Sequence, residues 1–181
     1  MNTSRKIWFP ITALVFLLMG CERAIDYLPP LPRVEIPSEQ TRKPTSPQSA
    51  NTTKIEVAVR TSINQVRQQQ KLQPLKNNER LAEVARNYSR KMAEKNFFSH
   101  TGVDGSTPAS RVEAAGIIYW AVGENLFRGR NLQDPVNIAV KGWLESPGHR
   151  ANILRSYFAE TGVGVWQVNN TYYITQLFLR R

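Results

Sequence analysis

Glu160-Thr161-Gly162-Val163-Gly164-Val165, then Asn169-Asn170, then Tyr173-Ile174-Thr175-Gln176-Leu177 is the stretch that decides the fold class. Val163 and Val165, and after them Tyr173, Thr175 and Leu177, recur with period two, the spacing that puts side chains on one face of a strand. The two asparagines between the runs suit the positive φ angles of a tight turn. Together they predict a β-hairpin.

Upstream of the hairpin the period lengthens to that of a helix. Ile55, Val59, Ile63 and Val66 share one helical face, and Pro74 lies beyond the end of that segment. A second helix is expected from about Asn78, as N-cap, through Leu81, Val84, Ala85, Tyr88 and Met92. Turn residues fill Gly102 to Gly105. Thr107-Pro108 and Asp134-Pro135 each pair a capping side chain with proline at the first helical position, and Gly116 closes the first of these helices. A helical body followed by late antiparallel strands predicts an α+β layered domain.

The chain has two histidines, His100 and His149, and both fall at element boundaries, outside any apolar helix face. Around them run Asn96-Phe97-Phe98-Ser99-His100, Gly123-Glu124-Asn125 and Trp143-Leu144-Glu145-Ser146-Pro147-Gly148-His149-Arg150-Ala151-Asn152-Ile153-Leu154. With Glu160 to Val165 and Tyr173 to Gln176, these strings resemble, in order and spacing, the CAP superfamily of cysteine-rich secretory, antigen 5 and pathogenesis-related proteins, in its disulfide-free bacterial form. The resemblance covers roughly Ile55 to Phe178. It implies an αβα sandwich, a central antiparallel sheet covered by helices, with a surface groove lined by histidines and acidic side chains.

In eukaryotic members that groove carries two His and two Glu that can hold a divalent cation. By resemblance His100 and Glu124 fall on matching motifs, and His149 comes from the bacterial Ser-Pro-Gly-His-Arg pattern. Where the eukaryotic second histidine would stand this chain has Tyr173, and where the second glutamate would stand it has Ser146. Glu145 and Glu160 are candidate fourth members, and Ser99, Asn125 and Asn152 complete the expected groove lining. Imidazole nitrogen and carboxylate oxygen suit zinc, and two His with one Glu leave a coordination position open. A divalent cation, zinc or magnesium, is therefore the expected cofactor. The alternative role for His100, Glu124 and His149 is a hydrogen-bonded network that pins loops to the sheet. Asn125 and Asn152 are expected to brace backbone, and Gly123 to permit close approach beside Glu124.

The N-terminus has the pattern of an export signal. Arg5 and Lys6 precede an apolar run from Ile7 to Met19 that is too short to span a bilayer, and Leu18-Met19-Gly20-Cys21 resembles a lipobox. Residues 1–20 are thus expected to be the signal, with Cys21, the only cysteine, as the acylated attachment point. Residues 21–53, with Pro29, Pro30, Pro32, Pro37, Pro44 and Pro47, form a proline-rich tether, and 54–181 the domain. This places the protein in the cell envelope, outside the cytoplasm; Glu22 after the cysteine points to the outer membrane in a Gram-negative cell.

Formal net charge is +10, and +8 once Arg5 and Lys6 leave with the signal. Anionic envelope polymers and lipid headgroups are the expected partners. Nucleic acid is not, since the basic residues are dispersed and export removes the domain from it. Three functions remain open: binding of a small or amphiphilic envelope ligand, metal-dependent hydrolysis, and adhesion or scaffolding at the envelope. Binding is the expected function, and against hydrolysis stands the absence of a helical His-Glu-x-x-His motif.

Overall fold

A computed structural model of the chain describes residues 49–181; the expected export signal, Cys21 as its expected attachment point, and nearly all of the expected tether lie outside the described residues. The first helix, α1 (Ala50–Gln69), is capped by Ser49, whose side chain accepts from the Thr52 amide at 3.1 Å. It starts four residues inside the stretch whose composition marks it as tether, because Ser49 supplies a cap and Thr52 is already buried. Ile55, Val59 and Ile63 form its buried stripe.

Strand β1 (Lys76–Asn77) leads into α2 (Glu79–Glu94), where Asn78 accepts from the Leu81 amide at 3.0 Å. Helix α3 (Pro108–Ala114) opens on a reciprocal capping box between Thr107 and Ser110 and stops before Gly116, at φ 68°. Strand β2 (Ala121–Arg130) follows, then α4 (Pro135–Glu145), capped by Asp134, and α5 (Pro147–Leu154). The hairpin pairs β3 (Glu160–Val168) with β4 (Thr171–Arg180), and Asn169 and Asn170 turn it at φ 46° and 59°.

The sheet order is β1-β3-β4-β2. Its three long strands are antiparallel, and two-residue β1 runs parallel to β3 along part of one edge. Two strands were not foreseen. β2 carries Gly123, Arg128, Gly129 and Arg130, which break the apolar alternation that marks a strand; β1 is too short to have a period.

Alternation along the strands assigns the layers. Val163, Val165, Ile174 and Phe178 join Ile55, Val59, Ile63, Val140, Trp143 and Ile153 under α1, α4 and α5. Leu177 and Leu179 face Leu81, Val84, Ala85 and Val112 under α2 and α3. The result is the expected α+β sandwich. Helix α2 approaches β3 so closely that a methyl group on Gly162 or Gly164 would be driven into the backbone of Ala82 or Arg86.

Two buried charges tie the layers together. Arg67, fully buried at the end of α1, donates to the carbonyls of Gln73, Ile153, Arg155 and Phe158 at 2.9, 2.7, 3.0 and 3.2 Å. Glu56 accepts from the Val165 amide at 2.9 Å beyond the end of β1, and Arg86 of α2 meets it at 2.9 Å. That carboxylate caps an edge amide that would otherwise lack a partner. The described residues, 49–181, pack their helices and sheet around three core clusters of their own, so this segment carries its own core.

Candidate functional site

Glu124 and Asn125 are neighbours on β2, so their side chains leave the sheet on opposite faces. Glu124 pairs in register with Leu177 and lies on the α2–α3 side; Asn125 pairs with Gln176 and lies on the α5 side. Since β2 is an edge strand, groups held on either face can meet around its rim.

On the first face Glu124 is buried, and both of its oxygens are engaged. Arg111 of α3 donates to Oε2 at 2.7 Å, and His100 Nδ1 lies 2.8 Å from Oε1. The remaining nitrogen of His100, Nε2, has no hydrogen-bond partner among the described residues, and the side chain is 52% exposed. Arg111 also donates to the carbonyls of His100 (3.2 Å) and Ser106 (2.9 Å), and its guanidinium stacks 3.4 Å above the Tyr88 ring. Tyr88 donates to the Ser99 carbonyl at 2.6 Å. Helix α2, α3 and the loop that carries His100 are thereby fixed to one carboxylate. Burial raises the Tyr88 phenol above its ordinary range, with Glu124 adding to the effect and Arg111 opposing it.

On the second face Asn125 donates to the His149 carbonyl at 3.2 Å. Asn152 donates to the Asn125 side chain at 3.0 Å and to the Glu124 carbonyl at 3.1 Å. A Cβ at Gly123 would press on Asn152 and the Phe158 ring at 3.0 Å, so glycine lets α5 lie against the strand. His149 stands in the first turn of α5, which begins at Pro147. Its ring centroid is 6.1 Å from that of His100. Burial, and then the neighbouring His100, lower the His149 pKa, which favours the neutral imidazole that can act as a ligand.

The structure thus brings His100, Glu124 and His149 to one spot, but with divided roles. Glu124 is the brace beneath His100, and the imidazoles are the accessible groups. Among the described residues no three His, Cys, Asp or Glu side chains are grouped to hold an ion between them. Of the other members of the expected lining, Glu160 stands two strands away on β3, where it meets Asn78 and Arg181. Glu145 is exposed at the end of α4 with Lys141 3.8 Å away, and Asn125 is fully buried beneath the rim, where it bonds the His149 carbonyl and Asn152. Ser99 stays at the rim, where its hydroxyl accepts from the Thr101 amide at 3.1 Å. Arg111 is the residue that the sequence does not single out, since an arginine in a short helix is ordinarily a solvated one.

The sequence and the sandwich match a known family. The model of the cysteine-rich secretory protein family, CAP, matches residues 61–178, and the chain belongs to that family. The protein YkwD of Bacillus subtilis is 40% identical over 101 residues, and the membrane protein YlbC of the same organism 38% over 100 residues. These matches take in 56% and 55% of this chain, which spans only 38% and 27% of the lengths of those relatives. An extracellular SCP-domain protein of Bacillus anthracis superposes with a TM-score of 0.65 at 27% identity, over 76% of this chain and 45% of that one. An outer surface protein of Borrelia burgdorferi gives 0.66 at 24% identity, over 72% and 95% respectively.

Proposed function

We propose that this chain is an extracytoplasmic binding module, held to a membrane through acylated Cys21, that captures a small or amphiphilic envelope ligand between His100 and His149. The observation that carries the reading is the approach of two imidazoles from opposite faces of the sheet, 6.1 Å apart at their centroids. A rim built from both layers, braced by a buried carboxylate and a stacked guanidinium, is preorganised for a ligand. The extracellular relative from Bacillus anthracis and the membrane relative YlbC support the location.

The donor set fits zinc better than magnesium. Imidazole nitrogen suits zinc, whereas magnesium requires oxygens, and both Glu124 oxygens are already engaged. His100 and His149 would hold the ion with Glu124 behind His100, an arrangement common around metal-bound histidine. A bound zinc would supply a Lewis-acidic position for an oxygen of the ligand. Hydrolysis is the weaker reading, because both Glu124 oxygens are taken up by Arg111 and His100, which leaves that carboxylate poorly placed to act as general base.

Calorimetric titration of segment 49–181 with zinc, and separately with magnesium, tests the cation. One zinc per domain is expected, lost in both His100→Ala and His149→Ala, with no comparable magnesium heat. Undiminished zinc binding in either variant overturns that assignment. Native mass spectrometry of the full protein extracted from envelopes tests capture: a bound small molecule is expected, and its absence from repeated preparations would refute it.

A further inference from the structure

The residues that follow α3 alternate between core and solvent. Ile117 is buried and Tyr119 packs against the cluster under α2 and α3, whereas Ile118 and Trp120 are 85% and 83% exposed. These are the two most exposed large apolar side chains among the described residues. Their exposure is built in. The Trp120 amide donates to the Arg180 carbonyl at 2.7 Å, continuing the ladder that pairs Ala121 with Arg180, and Arg80 donates to the carbonyls of Ala115 and Gly116 at 2.7 and 3.3 Å. The loop is fixed with its apolar pair outward.

Basic groups lie at the same end of the sheet. Arg155 and Arg180 each place a guanidinium 5.6 Å from the ring centroid of Tyr157, itself exposed. Arg181 follows at the end of β4. Among the described residues, the acidic groups bonded at this end are Glu160, paired with Arg181 at 3.2 Å, and Glu113, which accepts from the Tyr119 hydroxyl at 2.7 Å. Against them stand Arg80, Arg155, Arg180 and Arg181, so positive charge is in excess.

We propose that Ile118 and Trp120, flanked by Arg155, Arg180 and Arg181, form a surface that docks on an anionic phospholipid bilayer. Tryptophan suits the interfacial layer, where its ring is half in hydrocarbon and its N–H remains wet, and an adjacent isoleucine adds buried apolar area. The arginines answer the headgroup charge. No described helix is long and apolar enough to cross a membrane, so the contact is peripheral. The surface lies on the protein face formed where β2 begins and β4 ends, and it is independent of the ligand site, so either can fail alone.

The test uses unlipidated segment 49–181 with vesicles of phosphatidylcholine alone or mixed with phosphatidylglycerol. Co-sedimentation with the mixed vesicles only is expected, together with a blue shift in tryptophan emission. Trp120→Ala should weaken partitioning about tenfold, and each of Arg155→Gln and Arg180→Gln about fivefold, equivalent to about 1 kcal/mol per arginine. Because Trp120 and Ile118 are solvent-exposed, circular dichroism should show variants that fold as the parent does. Equal binding to both vesicle types, no binding at all, or full binding by the Ile118→Ser, Trp120→Ala double variant overturns the proposal. So does self-association of the lipid-free segment that Trp120→Ala abolishes, which would assign the surface to a second copy of the chain.

Discussion

Arg111 and Glu124, 13 positions apart, form a buried ion pair at 2.7 Å that holds the loop carrying His100 against the sheet edge. Removing one partner of such a pair leaves an uncompensated charge in the interior. Arg111→Ala is therefore expected to cost about 3–5 kcal/mol in denaturant unfolding. It should also broaden the His100 ring resonances, whereas Arg111→Ala combined with Glu124→Leu should recover part of the stability. A loss from the double variant as large as the sum of the two single losses would show that the pair is not coupled.

Glu56 is the corresponding point on the other sheet edge, where it accepts from the Val165 amide and from Arg86. Glu56→Ala strands the Val165 amide and leaves Arg86 only its exposed partner Glu79, and about 3 kcal/mol should disappear from the unfolding free energy. Hydrogen exchange at Val165 should accelerate at the same time. Unchanged protection of that amide would contradict its assignment as a capped edge donor.

The Tyr88 phenol gives a signature at high pH. Its pKa is raised in the fold, chiefly by burial, so the neutral form is the one that the native state prefers. The stability it contributes is present below the unfolded tyrosine pKa and is lost as pH rises through the folded value. Stability should thus decline above about pH 10 more steeply in the parent than in Tyr88→Phe. Chemical denaturation across that range, with phenolate absorbance to follow ionisation, provides the measurement; equal slopes would remove Tyr88 as the cause.

Gly164 tests the contact between α2 and β3. A methyl group there meets the backbone of Arg86 rather than a movable side chain, so the helix itself must shift. Gly164→Ala is expected to destabilise by about 3 kcal/mol or more, at the upper end of overpacking costs. Gly148→Ala, where an added Cβ meets nothing within 4 Å, is the control that should leave the melting temperature within a few degrees.

Much of the architecture was legible because its signals are local. Asn78, Thr107 and Asp134 announce helix starts through side chains that accept from amides two or three residues on, and Asn169-Asn170 announces the hairpin through backbone conformation alone. β2 was hidden because its glycines and arginines serve long-range demands: Gly123 makes room for Asn152, and Arg128 lies beneath Phe98 at 5.3 Å. At the site, the family motifs indicated His100, Glu124 and His149 but not the division of labour among them. Whether a carboxylate braces a histidine or faces a ligand depends on Arg111, which is close to Glu124 only in the folded molecule. Glu160 carried suitable chemistry, yet it stands on β3, two strands from Glu124, where Asn78 and Arg181 engage it.

Arg67 has a practical bearing on how the domain should be cut. Its guanidinium joins the last turn of α1 to the end of α5 and to the loop before β3, so the helix that bears His149 is moored to the first helix of the domain. The family match begins at residue 61, inside α1, and a fragment started there would keep Arg67 while discarding Ile55, Glu56 and Val59, which seat that helix on the sheet. A recombinant boundary drawn from the family alignment would leave α5 moored to a loose post; one drawn at Ser49 keeps the mooring firm.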